Sequence, residues 1–141
     1  MNSPTITLPV GQTHLSRSIA RGDWKRFLDE FSRRHEGWLA SIRIREKEGG
    51  RDRVIARELP LERVDLDEFG DRIKIHLGNG ETRRILHLVE NPSSLHVEID
   101  TDGAEWGVEI GFANGIALLR FRCSWPSEMV DGIAHPAPIP E

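Results

Sequence analysis

Asp23-Trp24-Lys25-Arg26-Phe27-Leu28-Asp29-Glu30-Phe31-Ser32-Arg33-Arg34-His35-Glu36-Gly37-Trp38-Leu39-Ala40-Ser41-Ile42-Arg43-Ile44-Arg45 changes its apolar period partway along. In the first half Trp24, Phe27, Leu28 and Phe31 recur at i, i+3, i+4 and i+7, which puts them on one face of a helix facing a core. Asp23 is placed to cap its N-terminus, Arg33, Arg34 and His35 bring cations to the negative end of its dipole, and Gly37 suits the left-handed residue that ends it. After Gly37 the period falls to two: Trp38, Ala40, Ile42 and Ile44 lie on one side, Leu39, Ser41, Arg43 and Arg45 on the other. A helix therefore runs directly into a half-buried strand, which points to an α+β domain.

Downstream, the same alternation continues to the end of the apolar pattern. Glu48-Gly49-Gly50-Arg51 turns the chain into Arg53 to Glu58, where Pro60 argues against central pairing, and Val64 and Leu66 extend onward to Phe69-Gly70-Asp71. Ile73, Ile75 and Leu77 form a strand joined by Asn79-Gly80, a type I′ hairpin signal, to a strand over Arg83 to Val89. Leu95, Val97 and Ile99 precede the Asp102-Gly103 turn into Trp106, Val108, Ile110 and Phe112, and Asn114-Gly115 leads into Ile116 to Arg122. Upstream, Pro4, Pro9 and Gly11 with alternating Ile6, Leu8 and Val10 mark residues 1–20 as a tail able to lend an edge strand. Residues 21–125 make one domain, and the Pro-rich residues 126–141 a second tail.

The expected architecture is one N-terminal amphipathic helix packed on a largely antiparallel, curled sheet of about seven strands. Seven strands at ~4.8 Å span ~30 Å, whereas a helix with its side chains covers only ~10–12 Å. The sheet must curl over the helix, use the tails as cover, or bury the remainder against a second subunit as a homodimer.

With 141 residues the chain suits a single core, and 38% hydrophobic with 30% charged residues excludes a disordered composition. A net charge of −4 disfavours binding to a phosphate backbone, so nucleic acid is not the expected partner. The single cysteine, Cys123, forms no intrachain disulfide, and neither a targeting signal nor a membrane span is visible, so the expected location is cytoplasmic with no membrane partner.

Trp24-x-x-Phe27-Leu28-Asp29-x-Phe31-Ser32-x-x-His35-Glu36-Gly37-Trp38-Leu39, followed by Arg57-Glu58-Leu59-Pro60-Leu61-Glu62, resembles a family of small uncharacterised bacterial proteins, the domain of unknown function 5335. Asn91-Pro92, Val97-Glu98, Glu109-Ile110, Leu118-Leu119-Arg120-Phe121-Arg122 and Val130-Asp131-Gly132 extend the resemblance over about residues 20–133. It implies a compact bacterial domain and supplies no activity and no catalytic residue.

Several groupings have the spacing of a site. Glu98-x-Asp100-x-Asp102-Gly103-x5-Glu109 comes close to a calcium loop, yet it starts with Glu, carries Glu105 where an apolar residue belongs, and lies between strands; an acidic hairpin tip is the simpler reading. His76, His87 and His96 fall in strands, but His87 shares its face with Ile85 and Val89 while His76 and His96 face the other way, so no zinc triad is expected. His35-Glu36 is explained by the helix end, and Cys123 beside Phe121 and Trp125 reads as a buried thiol. No nucleophile elbow, phosphate loop or dinucleotide fingerprint occurs.

The residues therefore favour a non-enzymatic interaction module without cofactor or metal, meeting a protein partner or a second copy through a sheet edge or through Arg43, Arg45, Arg51, Arg53 and Arg57 of the first hairpin. A small-molecule pocket or unrecognised enzyme site inside the curled sheet, lined by His76, Arg84 and His96, is the alternative. Nucleic-acid binding by the arginine hairpin is the third.

Overall fold

The computed structural model describes residues 14–78 and 83–122. Its elements are β1 (His14–Ser18), a 3-10 turn (Arg21–Asp23), α1 (Trp24–His35), β2 (Leu39–Glu46), β3 (Asp52–Leu66), β4 (Arg72–Gly78), β5 (Arg84–Glu90), β6 (Ser94–Asp100), β7 (Glu105–Phe112) and β8 (Gly115–Phe121). The switch of period at Gly37 thus marks the passage from helix to strand, and Gly37 adopts φ +89° with its N–H donating to Leu61 O at 2.8 Å. Asp23 differs from expectation. Its side chain makes no capping bond: the 3-10 turn leaves its backbone at φ −102° and ψ 0° instead of the extended conformation typical of a cap, and its carboxylate accepts from Arg26 at 3.4 Å.

The strands form one antiparallel, eight-stranded open sheet in the order β1-β6-β7-β8-β2-β3-β4-β5. Two meanders, β2-β3-β4-β5 and β6-β7-β8, are joined where β8 pairs with β2, and β1 crosses back to pair with β6. The edge strand in the N-terminal region is His14–Ser18; Ile6, Leu8 and Val10 lie outside the described residues, as do Asn79-Gly80, Cys123 and the Pro-rich C-terminal tail.

β3 is the spine of the sheet. Its first part pairs with β2 as far as Leu39↔Pro60, and its second part pairs with β4 from Leu61↔Leu77 onward. Pro60 sits at this handover, where β2 ends, so a residue without an N–H is accommodated in a strand that is central rather than at an edge. The bend there is built by register shifts on both sides and by Glu58 at φ 50°, whose N–H donates to Ser41 Oγ at 2.9 Å.

Beyond Pro60, α1 takes the place of the missing neighbour. Ser32 Oγ accepts from Val64 N–H at 2.8 Å and donates to Val64 C=O at 3.0 Å, satisfying a peptide edge that β2 no longer reaches. Trp24, Leu28 and Phe31 enter one core with Ala40, Ile42, Ile44, Leu61, Val64, Ile73, Ile75, Leu95, Val97, Val108, Ile110 and Leu119. At its other end, the helix is fixed by Trp24 Nε1 donating to Ile19 O at 2.8 Å and by the Arg21 guanidinium lying 4.2 Å over the Trp24 ring. The sheet curls towards this core until parts of β5 and β7 come within 8 Å, Cα to Cα, although four strands separate them in the sheet order. Curling thus supplies cover that one helix could not. No helix among the described residues is long and apolar enough to cross a membrane.

Candidate functional site

β5 closes one side of the sheet, and among the described residues its only hydrogen-bonded neighbour is β4. Its pairing with β4 runs without a bulge from Arg72↔Glu90 to Gly78↔Arg84. The strand reads Arg-Ile-Leu-His-Leu-Val-Glu and contains no Pro or Lys, residues that often blunt a free edge, and its charges stand at its two ends. Ile85, His87 and Val89 turn to the concave, core side with Leu77, Ile75 and Ile73, so Arg84, Leu86, Leu88 and Glu90 occupy the convex side. Leu86 is 55% exposed there, and Arg84 and Glu90 at the two ends are exposed as well. An apolar strip flanked by opposite charges thus lies along a row of backbone donors and acceptors that is open among the described residues.

The strands beside it hold this strip in a polar frame. His76, opposite Leu86, has Nε2 3.4 Å from Asp65 Oδ1, Arg63 reaches the other oxygen of Asp65 at 3.1 Å, and Arg84 lies 3.5 Å from Glu62. Burial holds the His76 pKa below the ordinary histidine value; the Arg63 charge adds to this and Asp65 opposes it. His87, on the other side of β5, is likewise held low by burial, with Arg53 contributing in the same direction.

His76 and Arg84 are brought to one wing. His96 is not: from β4 to β6 the sheet runs through β3, β2, β8 and β7, and all three side chains turn away from the concave core. The five arginines of the first hairpin also fail to form one surface. Arg43 pairs with Val54 and Arg45 with Asp52 on the convex face, whereas Arg53 lies opposite Ile44 on the core side and reaches Glu46 at 3.4 Å. Arg45 meets Asp52 at 3.2 Å, and Arg51 and Arg57 are exposed in the turn and beside the bend of β3.

The acidic hairpin tip likewise disperses its groups. Asp100 Oδ1 accepts from the N–H groups of Asp102 and Ala104, each at 2.9 Å, which closes the turn. Glu98 is only 3% exposed on the face away from the core, where Arg120 grips it with two bonds of 2.9 Å. That contact and burial act on Arg120 in opposite senses, and the contact prevails in raising its pKa. A register shift after Glu98 sets Glu105 opposite Ile99, on the helix side, where Arg34 binds both its oxygens at 2.9 Å.

For His35 the structure corrects the reading as a cation at a helix end. The ring is 4% exposed, 4.5 Å from Phe31, 4.7 Å from Phe121 and 4.7 Å from Trp38, centroid to centroid. Its Nδ1 is 2.8 Å from Phe31 O and its Nε2 3.4 Å from Glu105. Burial among these rings lowers its pKa, against the Phe31 carbonyl and Glu105 and together with Arg34. The signal is present in the sequence: His35 follows Phe31 by four residues and so continues the apolar face.

Among the described residues, an open depression of about 460 Å³ lies between β1, the 3-10 turn and α1, lined by Arg17, Asp23, Arg26, Glu30, Arg34 and Glu105. Another, of about 500 Å³, lies among Ile44, Glu46, Arg53, Phe112 and Asn114.

No curated protein and no solved structure matches this chain. A family model does, over residues 15–129, which runs from Leu15 in β1 to beyond the end of β8, and the chain belongs to the family of unknown function DUF5335.

Proposed function

We propose that this domain is a non-enzymatic bacterial interaction module of the cytosol that takes up an extended strand of a protein partner along β5. The observation that carries the reading is the unblunted β5 edge with Leu86 55% exposed beside it. Strand addition draws its strength from main-chain hydrogen bonds and its selectivity from alternate side chains. Both are on offer along Arg84–Glu90. Several charged groups elsewhere in the fold are engaged with one another, as in Arg34–Glu105, Arg45–Asp52 and Arg120–Glu98.

Affinity capture from a bacterial lysate tests this with the wild type beside a Leu86→Lys/Leu88→Lys variant, whose added charges blunt the edge without touching the core. Proteins, further copies of this chain included, retained by the wild type and lost by the variant are the expected result. An identical set on both would overturn it.

A second reading, binding of a small charged molecule, is favoured by the depression of about 460 Å³, whose rim carries Arg17, Arg26 and Arg34 beside Asp23, Glu30 and Glu105. A thermal-shift screen with zwitterionic and dicarboxylate compounds, repeated on Arg17→Ala, distinguishes it from strand capture.

A further inference from the structure

The sequence of β5 is complementary to itself. When two copies of Arg84-Ile85-Leu86-His87-Leu88-Val89-Glu90 run antiparallel with His87 on the two-fold axis, Arg84 stands opposite Glu90, Ile85 opposite Val89 and Leu86 opposite Leu88. The faces agree as well. Arg84, Leu86, Leu88 and Glu90 share the convex side in each copy, and Ile85, His87 and Val89 share the concave side. Every apolar residue would meet an apolar residue and each charge its opposite, twice over by symmetry.

From this we infer that the strand taken up by β5 is the β5 of a second copy of this chain, giving a two-fold dimer with one sheet continuous through both subunits. The inference rests on the β5 reading above and narrows it to one partner. The pairing satisfies both edges, which are open among the described residues, and it covers Leu86, which is 55% exposed. Among the described residues, Arg84 and Glu90 have loose partners, Glu62 at 3.5 Å and Arg72 at 4.0 Å, so both can turn to the second copy at little cost. A parallel arrangement, or an antiparallel one shifted by two residues, loses the Arg84–Glu90 pairs. The register is therefore specified by charge as well as by apolar pattern.

The test is sedimentation of the full chain with two charge reversals. Arg84→Glu places like negative charges opposite one another at both ends of the shared strand pair, and Glu90→Arg places like positive charges there. Each variant alone should weaken the dimer about tenfold, two cross-strand attractions having become repulsions. Mixing the two variants in equal amounts should restore association. In the mixed dimer the glutamate introduced in one variant faces the arginine introduced in the other at one end, and a native Arg84–Glu90 pair remains at the opposite end. The double variant Arg84→Glu/Glu90→Arg should dimerise like the wild type. A wild type that stays monomeric at about millimolar concentration overturns the inference. So does a dimer that ignores both reversals, or a mixture that fails to recover. Uptake of other proteins by the edge is judged separately by the capture experiment, so loss of the dimer and loss of the edge reading give different results.

Discussion

Gly107 lies directly between Glu98 and Arg120, its register partners on the two flanking strands, and the ion pair of those two side chains passes over it. A Cβ at position 107 would run into the Leu119 carbonyl oxygen and come 2.9 Å from Arg120 Cα. Gly107→Ala should therefore cost about 1–3 kcal/mol, the range for overpacking at a well-packed site, read from urea denaturation.

Arg120→Ala takes the bidentate guanidinium from a carboxylate that is 3% exposed. Removing one partner of a fully buried pair costs ~3–5 kcal/mol; because the Arg120 side chain is 41% exposed, about 2 kcal/mol is expected here. Arg45→Ala, by contrast, breaks a pair exposed on both sides and should move the same denaturation midpoint by less than about 0.5 kcal/mol.

Ser32→Ala leaves both the N–H and the C=O of Val64 without the hydroxyl that satisfies them. The expected loss is about 2 kcal/mol. Amide exchange at Val64 should accelerate while exchange in β7 and β8 keeps its place relative to global unfolding.

His35, His76 and His87 all titrate below the ordinary value of 6.5, principally through burial. The unfolded chain therefore binds protons first as the pH falls, so each group contributes stability that is fully present above pH 6.5 and is lost as the pH drops through its folded-state value. Denaturation midpoints should accordingly decline from about pH 7.5 towards about pH 5, and His35→Phe, which keeps the stack against Phe121, should flatten that decline. An unchanged slope in His35→Phe would show that His35 takes no part.

The helix and most strands are legible because their signals are local: the spacing of Trp24, Leu28 and Phe31, and the alternation of Ile73, Ile75 and Leu77, do not depend on distant partners. Pro60 misleads for the complementary reason. A proline disfavours central pairing only where a neighbour needs its N–H, and nothing in the sequence shows that β2 stops beside it. The β5 edge is illegible on the same ground, since a strand becomes an edge through sheet order, and that order is fixed by the pairing of β2 with β8. For His35 the charge pattern at the helix end masks an apolar spacing that leads to Phe31 and Phe121.

The two-meander layout also has a kinetic consequence. β2 to β5 can zip through contacts between consecutive strands, and β6 to β8 can do likewise, each closing only short loops. The seam pairs Ala40 with Phe121 and the β1 strap pairs His14 with Asp100, contacts between remote parts of the chain. Seam closure should therefore be the late, slow step of folding. Until it occurs, β8 exposes Leu118 and Leu119 on opposite faces of an unpaired edge, and that transient species is where aggregation during refolding should begin.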